Sequence, residues 1–595
     1  MVKNLLTILL VSFVATYSVA QETILKKAPL KSVEPTVNEK FVPLSFESPK
    51  TAANYVAVDT MANSFGPGSN TINPLYYDPV SGVVAVVHRG ATTYALGSGE
   101  LWWNWSTDYG TTWTRSETSV QNGQTPILAR YPSMAIWNPN ASTNMSELFG
   151  VFSWPELVGG AFGGLGWGVS EGLLQSSLAA IIQPPPLYAA NVPTFVNANY
   201  AFWTSDNQDN ASLRLFRTND FLTIDQIDPP TWASSRFGDN GIIQIGGISD
   251  DNNNVYVGSI ASFTEDIGAG GWEIGYSKST DDGATWSDWF IPDWRQISAT
   301  QDYDRLWDWL IGNAFVNYSG DITVDANGLV HLVTGLTDTS TGTNAIVEFF
   351  ETAPGVWDAK IIASGTEVHD YSLYSNGADP GLGQTGPSIM IATNQARDFF
   401  VAQWTIGSPE TGDTICDVYI KTRALSDNAW DNKQNLTQTD NMNENGCHLA
   451  QYLATTSSGG TTTDWLFSMY WYEAGNTTYL INQLNRSVVY VATVPVRVVS
   501  GVDDGLPLNT FELAQNYPNP FNPSTNIKYS IAERSNVTIK VYDMLGSEVA
   551  TLVNQVQDAG THNVVFNASN LASGMYVYTI TAGNFTATKK MMLLK

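Results

Sequence analysis

The chain has 595 residues, with 28 Lys plus Arg against 56 Asp plus Glu and a formal net charge of −28. An acid excess of that size repels phosphate backbones and anionic lipid headgroups, which argues against nucleic acid and membrane surfaces as partners. The length calls for two or three domains, and a charged fraction of 14 % with 12 % aromatics, including 20 Trp, suits an extracellular all-β chain.

At the N-terminus Lys3 precedes an uncharged, largely apolar run from Leu5 to Ala20 that closes on Ser18-Val19-Ala20. A basic start, apolar middle and small-residue exit read as a secretory signal peptide over residues 1–20, cleaved before Gln21. The apolar core is shorter than the about 20 residues that a membrane span needs. No later stretch reads as a transmembrane segment. Residues 21–50 hold Lys, Pro, Glu and Val with no sustained period and read as an extended lead-in.

From residue 51 to 495 the text repeats itself. Asp78-Pro79-Val80-Ser81-Gly82 leads into Val83–Val87, Asp250–Asn254 into Val255-Tyr256-Val257, and Asp325-Ala326-Asn327-Gly328 into Leu329–Val333. Looser copies begin at Asn138, Asn394 and Ser457, and an irregular one around Asn197–Thr204 lacks the clear turn. Asn, Asp and Gly supply the positive φ of tight turns, and the β-branched and aromatic runs after them suit strands. Six regular copies and one irregular one predict a β-propeller of seven blades, with six as the alternative, because sheets stacked radially bury both faces. Two separate β-sandwiches are the competing arrangement. Gln301–Ile311 carries the best local helical pattern and is expected as a short helix in an insertion. Residues 496–510 read as a linker, with a new domain at 511–595.

Cys416 and Cys447 are the two cysteines, both in strand-like text of neighbouring repeats. In an oxidising compartment they are expected to pair, two buried thiols being the alternative. Two Cys and scattered His (His331, His369, His448) do not make a Cys/His zinc site. The run Asp250–Asn254 offers hard oxygen ligands of the kind calcium takes, though an ordinary polar turn reads the same. No other cofactor is expected. Phosphate-loop, dinucleotide, nucleophile-elbow and HExxH motifs are not found.

Two segments share the pattern S-T-D-x-G-x-T-W: Ser106-Thr107-Asp108-Tyr109-Gly110-Thr111-Thr112-Trp113 and Ser279-Thr280-Asp281-Asp282-Gly283-Ala284-Thr285-Trp286. The pattern resembles the Asp-box (BNR repeat) of sialidases and related propellers. Physically it describes a hairpin turn. The Asp accepts backbone N–H groups, the Gly takes a conformation that a side chain hinders, and the Trp packs as a wedge. The resemblance implies that Asp108 and Asp281 are structural, since in those families the box sits away from the active site. Sialidases hold an anionic sugar with three arginines and use a Tyr–Glu pair plus an Asp. The Arg-Ile-Pro-like motif of their first blade is matched here only by Arg130-Tyr131-Pro132, which follows the first box. Arg89, Arg130, Arg236, Arg295, Arg397 and Arg423 are the candidate anion ligands, and no catalytic residue is assigned.

The C-terminal segment opens Asn516-Tyr517-Pro518-Asn519-Pro520-Phe521-Asn522-Pro523. It continues in alternating strands with Ile527, Tyr529, Ile539, Val541, Val577 and Ile580 as core positions, passes Gly574-Met575-Tyr576, and ends Lys589-Lys590-Met591-Met592-Leu593-Leu594-Lys595. It resembles the C-terminal sorting domain of the type IX secretion system of Bacteroidetes, which implies a small Ig-like β-sandwich. The resemblance also implies the secretion machinery as a partner and delivery to the outer-membrane surface or the medium. The whole then reads as an exported propeller that binds an extracellular glycan or protein. The alternative is a sialidase-like glycoside hydrolase or a polysaccharide lyase.

Overall fold

A computed structural model describes residues 54–594 apart from connecting segments, chiefly 62–71, 91–98, 122–128, 183–191, 208–211, 264–271, 369–386, 408–415, 438–443, 474–486 and 501–511. Residues 1–53, with the expected signal peptide and lead-in, fall outside the described residues. The chain divides into two compact units, Met1–Val499 and Ser500–Lys595.

Strands dominate the first unit, and helix is confined to single 3-10 turns among the described residues. Among the described residues, strands pair antiparallel into seven sheets of three or more strands. The first holds Leu75–Tyr77, Val84–Gly90, Glu100–Ser106 and Thr114–Arg115. The second runs Ser133–Trp137 to Ser177–Ile182, the third Thr194–Val196 to Asp225–Ile227, and the fourth Phe237–Ser249 to Glu273–Ser279. The fifth spans Gly320–Val324 to Val356–Ser364, with Arg305–Leu306 added, and the sixth Met390–Thr393 to Gln434–Asn435. In the seventh, Glu444–Leu449 and Ala454–Ser458 pair along one edge of Thr461–Glu473, Ser487–Ser500 takes the other edge, and Asn54–Met61 completes the sheet from the other end of the unit.

Both faces of each sheet are apolar, and each seam between neighbouring sheets holds its own buried cluster. Val87 and Trp103 of the first sheet meet Met134 and Phe152 of the second. Ile260 and Tyr276 of the fourth meet Leu332 and Phe349 of the fifth, and Val333 of the fifth meets Phe400 of the sixth. The last seam closes the series: Phe467, Met469 and Val491 of the seventh sheet pack on Tyr77, Val84 and Val86 of the first. A series whose last member packs on its first is a ring. This is a β-propeller, which removes the exposed faces that a single sheet would present.

The turns that punctuate the sequence do what their residue types require. Asp325 Oδ1 accepts the N–H groups of Asn327 (2.8 Å) and Leu329 (2.9 Å), with Gly328 at φ +75°. Asn394 plays the same part toward Asp398 and Phe399. The irregular copy is a full member, because Asn197 Oδ1 accepts the N–H groups of Asn199 (2.9 Å) and Tyr200 (2.8 Å) and starts the second strand of the third sheet.

Three expectations are corrected. Gln301–Ile311 is not helical: Arg305–Leu306 joins the fifth sheet and Asp308–Ile311 pairs with Phe315–Tyr318. Leu306 and Trp307, adjacent in sequence, enter opposite seams, which is a strand period and not a helical one. The linker does not begin at residue 496, since Arg497, Val498, Val499 and Ser500 continue the last propeller strand. In the tail Val577 is half-buried while Tyr576, Tyr578 and Ile580 point inward; residues three apart cannot share one face of a strand.

The second unit is a sandwich of two antiparallel sheets. One contains Glu512–Leu513, Ser524–Ile531 and Gly560–Asn567. The other contains Ser535–Tyr542, Glu548–Gln557, Gly574–Ala582 and Phe585–Leu593. Ile527, Tyr529, Ile539, Val541, Tyr578, Ile580 and Leu593 form its core.

Candidate functional site

Connectivity sorts the propeller's loops between two ends. First-to-second and third-to-fourth turns share one end, and the box segments lie there. Second-to-third and sheet-to-sheet connections share the other end. Most of those lie outside the described residues, so the described candidates are the axis, the boxes and the seams.

Around the axis the first strands of neighbouring sheets stand side by side without a shared ladder, and side chains satisfy their backbone groups. Asn73 N–H donates to Ser133 Oγ (3.2 Å), and Asn73 Oδ1 accepts the N–H of Thr194 (3.1 Å), so one residue ties the first three sheets together. Ile389 N–H donates to Ser319 Oγ (2.7 Å) and Ile391 N–H to Asp321 Oδ2 (3.0 Å), joining the fifth sheet to the sixth. Gln451 Nε2 reaches across to the carbonyl of Gly247 (2.9 Å), and Arg397 donates to the carbonyl of Ser249 (3.0 Å). Nothing in the sequence singled out Asn73, Asp321 or Gln451, because their role depends on strand positions far apart in the chain.

The two box segments are superimposable in their bonding. Ser106 Oγ donates to Asp108 Oδ1 (2.7 Å) and accepts the Gly110 N–H (2.8 Å); Ser279 does the same with Asp281 and Gly283 at 2.8 Å each. Asp108 then accepts the Thr112 N–H (2.8 Å) and hydroxyl (2.7 Å), matched by Asp281 and Thr285. Each Trp indole N–H returns to the Gly carbonyl, at 3.0 Å for Trp113 and 2.9 Å for Trp286. Bonds from the Thr112 hydroxyl and N–H hold the Asp108 carboxyl below its usual range. For Asp281 burial pushes upward, but the Thr285 bonds outweigh it and the carboxyl is again lowered. Acids held ionised in this way are poor proton donors. Neither Trp is fully buried; both are half-buried wedges at the rim of a seam.

The boxes also clasp the preceding sheet. Asn197 Nδ2 donates to Asp282 Oδ1 (2.7 Å), and Asn199 adds bonds of 3.1 and 3.0 Å to the same carboxylate. In the first box the hydroxyl of Thr493, on the last propeller strand, donates to the carbonyl of Tyr109 (3.0 Å).

The six candidate arginines are distributed around the ring. Arg89 and Arg130 are buried in and just after the first sheet, with Arg130 Nη1 on the carbonyl of Ala129 (2.9 Å). Arg236 pairs with Asp288 (3.1 Å), and Arg295 pairs with Glu273 (2.5 Å) while stacking on Trp294. Arg397 holds the axis, and Arg423 pairs with Glu348 inside the seam between the fifth and sixth sheets. The last four are spent on contacts within the fold.

Asp250, in the calcium-like run, accepts the N–H groups of Asn252 (2.8 Å) and Asn254 (3.0 Å) and the Tyr256 hydroxyl (2.9 Å), the bonding of an Asx turn. Among the described residues no group of three or more His, Cys, Asp or Glu is placed to hold a metal ion. Cys447 is buried at the seam of the sixth and seventh sheets, and the side chain of Cys416 lies outside the described residues.

In the tail, Asn516 N–H donates to the Tyr578 hydroxyl (2.8 Å) and its Nδ2 to Thr525 Oγ1 (3.0 Å). Asn519 Oδ1 accepts the Met592 N–H (2.8 Å), and Phe521 pairs with the last strand through Met592 O (2.9 Å) and Leu594 N–H (3.0 Å). Asn522 and Pro523 are exposed and lead into the strand Ser524–Ile531. Gly574, at φ +155°, starts the strand that carries Tyr576, whose hydroxyl donates to the carbonyl of Ala572 (2.8 Å). Tyr517, Pro518 and Pro520 lie outside the described residues.

Residues 515–594 match the family model of the secretion system C-terminal sorting domain. A tail of this type implies handing to the type IX machinery and export to the outer-membrane surface or beyond. No curated protein matches the sequence. Among solved structures the chain is similar to the endosialidase of phage phi92, at 11 % identity and TM-score 0.39, over 91 % of this chain and 87 % of that one. It is also similar to the sialidase of Trypanosoma rangeli, at 10 % and 0.35, over 91 % and 89 %. A protein of unknown function from Dyadobacter fermentans DSM 18053 matches at 8 % and 0.36, over 74 % and 99 %. Likenesses this remote carry no argument about substrate.

Among the described residues no helix is long and apolar enough to cross a membrane.

Proposed function

We propose that this is an exported propeller that binds an extracellular glycan or protein through its loop-bearing end, with residues 511–595 as its delivery tag. The observation that carries the non-catalytic reading is the commitment of the arginines. Arg236, Arg295, Arg397 and Arg423 neutralise or anchor partners in separate parts of the ring, so they do not converge on one anionic sugar. The boxes support it: as Asp-boxes of the sialidase-like kind they build turns at the opposite end, with carboxylates occupied by hydroxyl and N–H donors.

The test is a glycan-array screen of the full chain run beside a fluorogenic sialoside assay. Saturable binding without turnover is the expected result. Steady hydrolysis of the sialoside, abolished by boiling, would replace this reading with the glycosidase.

A further inference from the structure

The seam between the fifth and sixth sheets contains four ionisable side chains away from water. His331 Nδ1 lies 2.7 Å from Glu348 Oε1, and His331 Nε2 lies 3.8 Å from Asp325 Oδ2. Arg423, reaching over from the sixth sheet, pairs with Glu348, and the Trp430 indole N–H donates to the other Glu348 oxygen (2.9 Å). All four side chains are at most 3 % exposed. The His331 ring lies against Phe350 and Phe400, and Lys360 sits over the same Phe350. With His331 protonated, two carboxylates face two cations. With His331 neutral, the four buried groups carry one net negative charge, which a buried site tolerates poorly, and the half-buried Lys360 is the further cation that acts on Glu348.

One strand away, Asp321 presents a second such group to the same seam. Its carboxyl accepts the N–H groups of Ile322 (2.8 Å) and of Ile391 on the sixth sheet (3.0 Å), beside the bulged Gly246 of the fourth. Among the described residues its hydrogen-bond partners are these two backbone N–H groups, and no ion pair to it is found.

We propose that the seam between the fifth and sixth sheets is a proton-operated latch, tight when His331 and Asp321 carry protons and loosened when both have lost them. The directions agree. Burial disfavours a charged His331, but its bonds to Asp325 and Glu348 outweigh that and raise its pKa above 6.5. Burial pushes Asp321 up to about 7 against the two N–H bonds. Both groups therefore hold protons in the fold that the unfolded chain releases. For Asp321 stability declines as pH rises from 3.8 toward about 7. For His331 the contribution is full below 6.5 and lost as pH rises through its higher folded value. Carboxylates lowered in the fold, Asp325 and Glu348 among them, act in the opposite sense, but below their ordinary values of 3.8 and 4.5.

The test follows urea unfolding of the full chain by Trp fluorescence at pH 5, 6.5 and 8. All 20 Trp precede residue 500, so the signal reports the propeller alone. The wild-type midpoint is expected to fall with rising pH. The slope should flatten by at least half in the Asp321→Asn, His331→Gln double variant. Should that variant fail to fold, hydrogen exchange on the wild type decides. Protection of the Ile389 and Ile391 amides, corrected for intrinsic rate, should drop about tenfold or more from pH 5 to 8, which is one unit of proton linkage. A wild-type midpoint independent of pH, an equal slope in a folded double variant, or unchanged protection at Ile391 each overturns the latch.

Discussion

Asp59, on the strand that closes the seventh sheet, lies 3.2 Å from Nε2 of the buried His88 in the first sheet. Arg115 approaches the same carboxylate oxygen at 3.0 Å. The strand Asn54–Met61 bulges between Ala57 and Asp59, which sets the carboxylate apart from the regular ladder. The ring is thus closed twice, by the pairing of its first and last strands and by one charged group. Asp59→Ala is expected to lower propeller stability by about 1–3 kcal/mol, the range for stranding partly buried donors. Burial alone would raise this carboxyl, but His88 outweighs it, so the contribution is present above 3.8 and lost as pH falls below it. Trp-fluorescence denaturation at pH 7 and pH 3 measures both. An unchanged midpoint at pH 7 would mean that strand pairing alone closes the ring.

The boxes make a second prediction, separable into strain and packing. Gly283 sits at φ +80°, and an added Cβ would come within 2.9 Å of Leu215 and 3.0 Å of Phe202. Gly365, at φ +58°, has nothing within 4 Å. Gly365→Ala therefore faces only the backbone penalty, about 1 kcal/mol, and Gly283→Ala adds a clash that brings the total to about 2–4 kcal/mol. Equal effects of the two would show that the seam yields to the extra methyl.

Trp286 and Trp232 pack with ring centroids 4.5 Å apart and planes tilted by 54°, yet they differ in burial: Trp232 is 0 % exposed, while Trp286 is half-buried. Trp232→Ala is expected to destabilise by about 3–5 kcal/mol and Trp286→Ala by about 2 kcal/mol, since a rim side chain leaves less cavity behind. Thermal melts of the two variants give the order. A larger loss at Trp286 would make the box, and not the seam behind it, the main packing unit.

Much of this architecture can be read from one strand at a time. Turns with Asp or Asn at the first position, such as Asp325 and Asn394, announce themselves because the bonding is local to four or five residues. The same holds for the Ser, Asp and Trp bonds of the boxes, which stay within the eight-residue pattern. What stays hidden is whatever depends on a neighbouring sheet. Asn197 looks irregular because its Asx turn is shorter, closing on Asn199 and Tyr200 where that of Asp325 reaches Leu329. The Leu306–Trp307 pair looks helical because both residues are apolar, and only the two flanking seams reveal that they face opposite ways. Asp321, Asn73 and Glu348 carry no local signal of their part in the ring, for each has a partner in another sheet 60 or more residues distant.

The last prediction concerns the tail, where local pattern and family match agree. Among the described residues, the core of its sheets runs from Leu513 to Leu593. Those of the propeller's seven clusters all precede residue 500. Deleting 511–595 should therefore leave the Trp-fluorescence transition of the propeller in place while abolishing passage across the outer membrane. A subtler variant separates fold from sequence signal. Phe521, 2 % exposed, pairs with the last strand on one side and packs in the sandwich core on the other. Phe521→Ala should remove about 3–5 kcal/mol, which in so small a sandwich is most of its stability. If the machinery reads the folded surface, this variant should accumulate in the periplasm like the deletion. If it reads the chain ends as extended peptide, export should persist. Fractionation and immunoblot of the two variants beside wild type give the answer. Surface delivery of the deletion variant would remove the sorting role from this segment altogether.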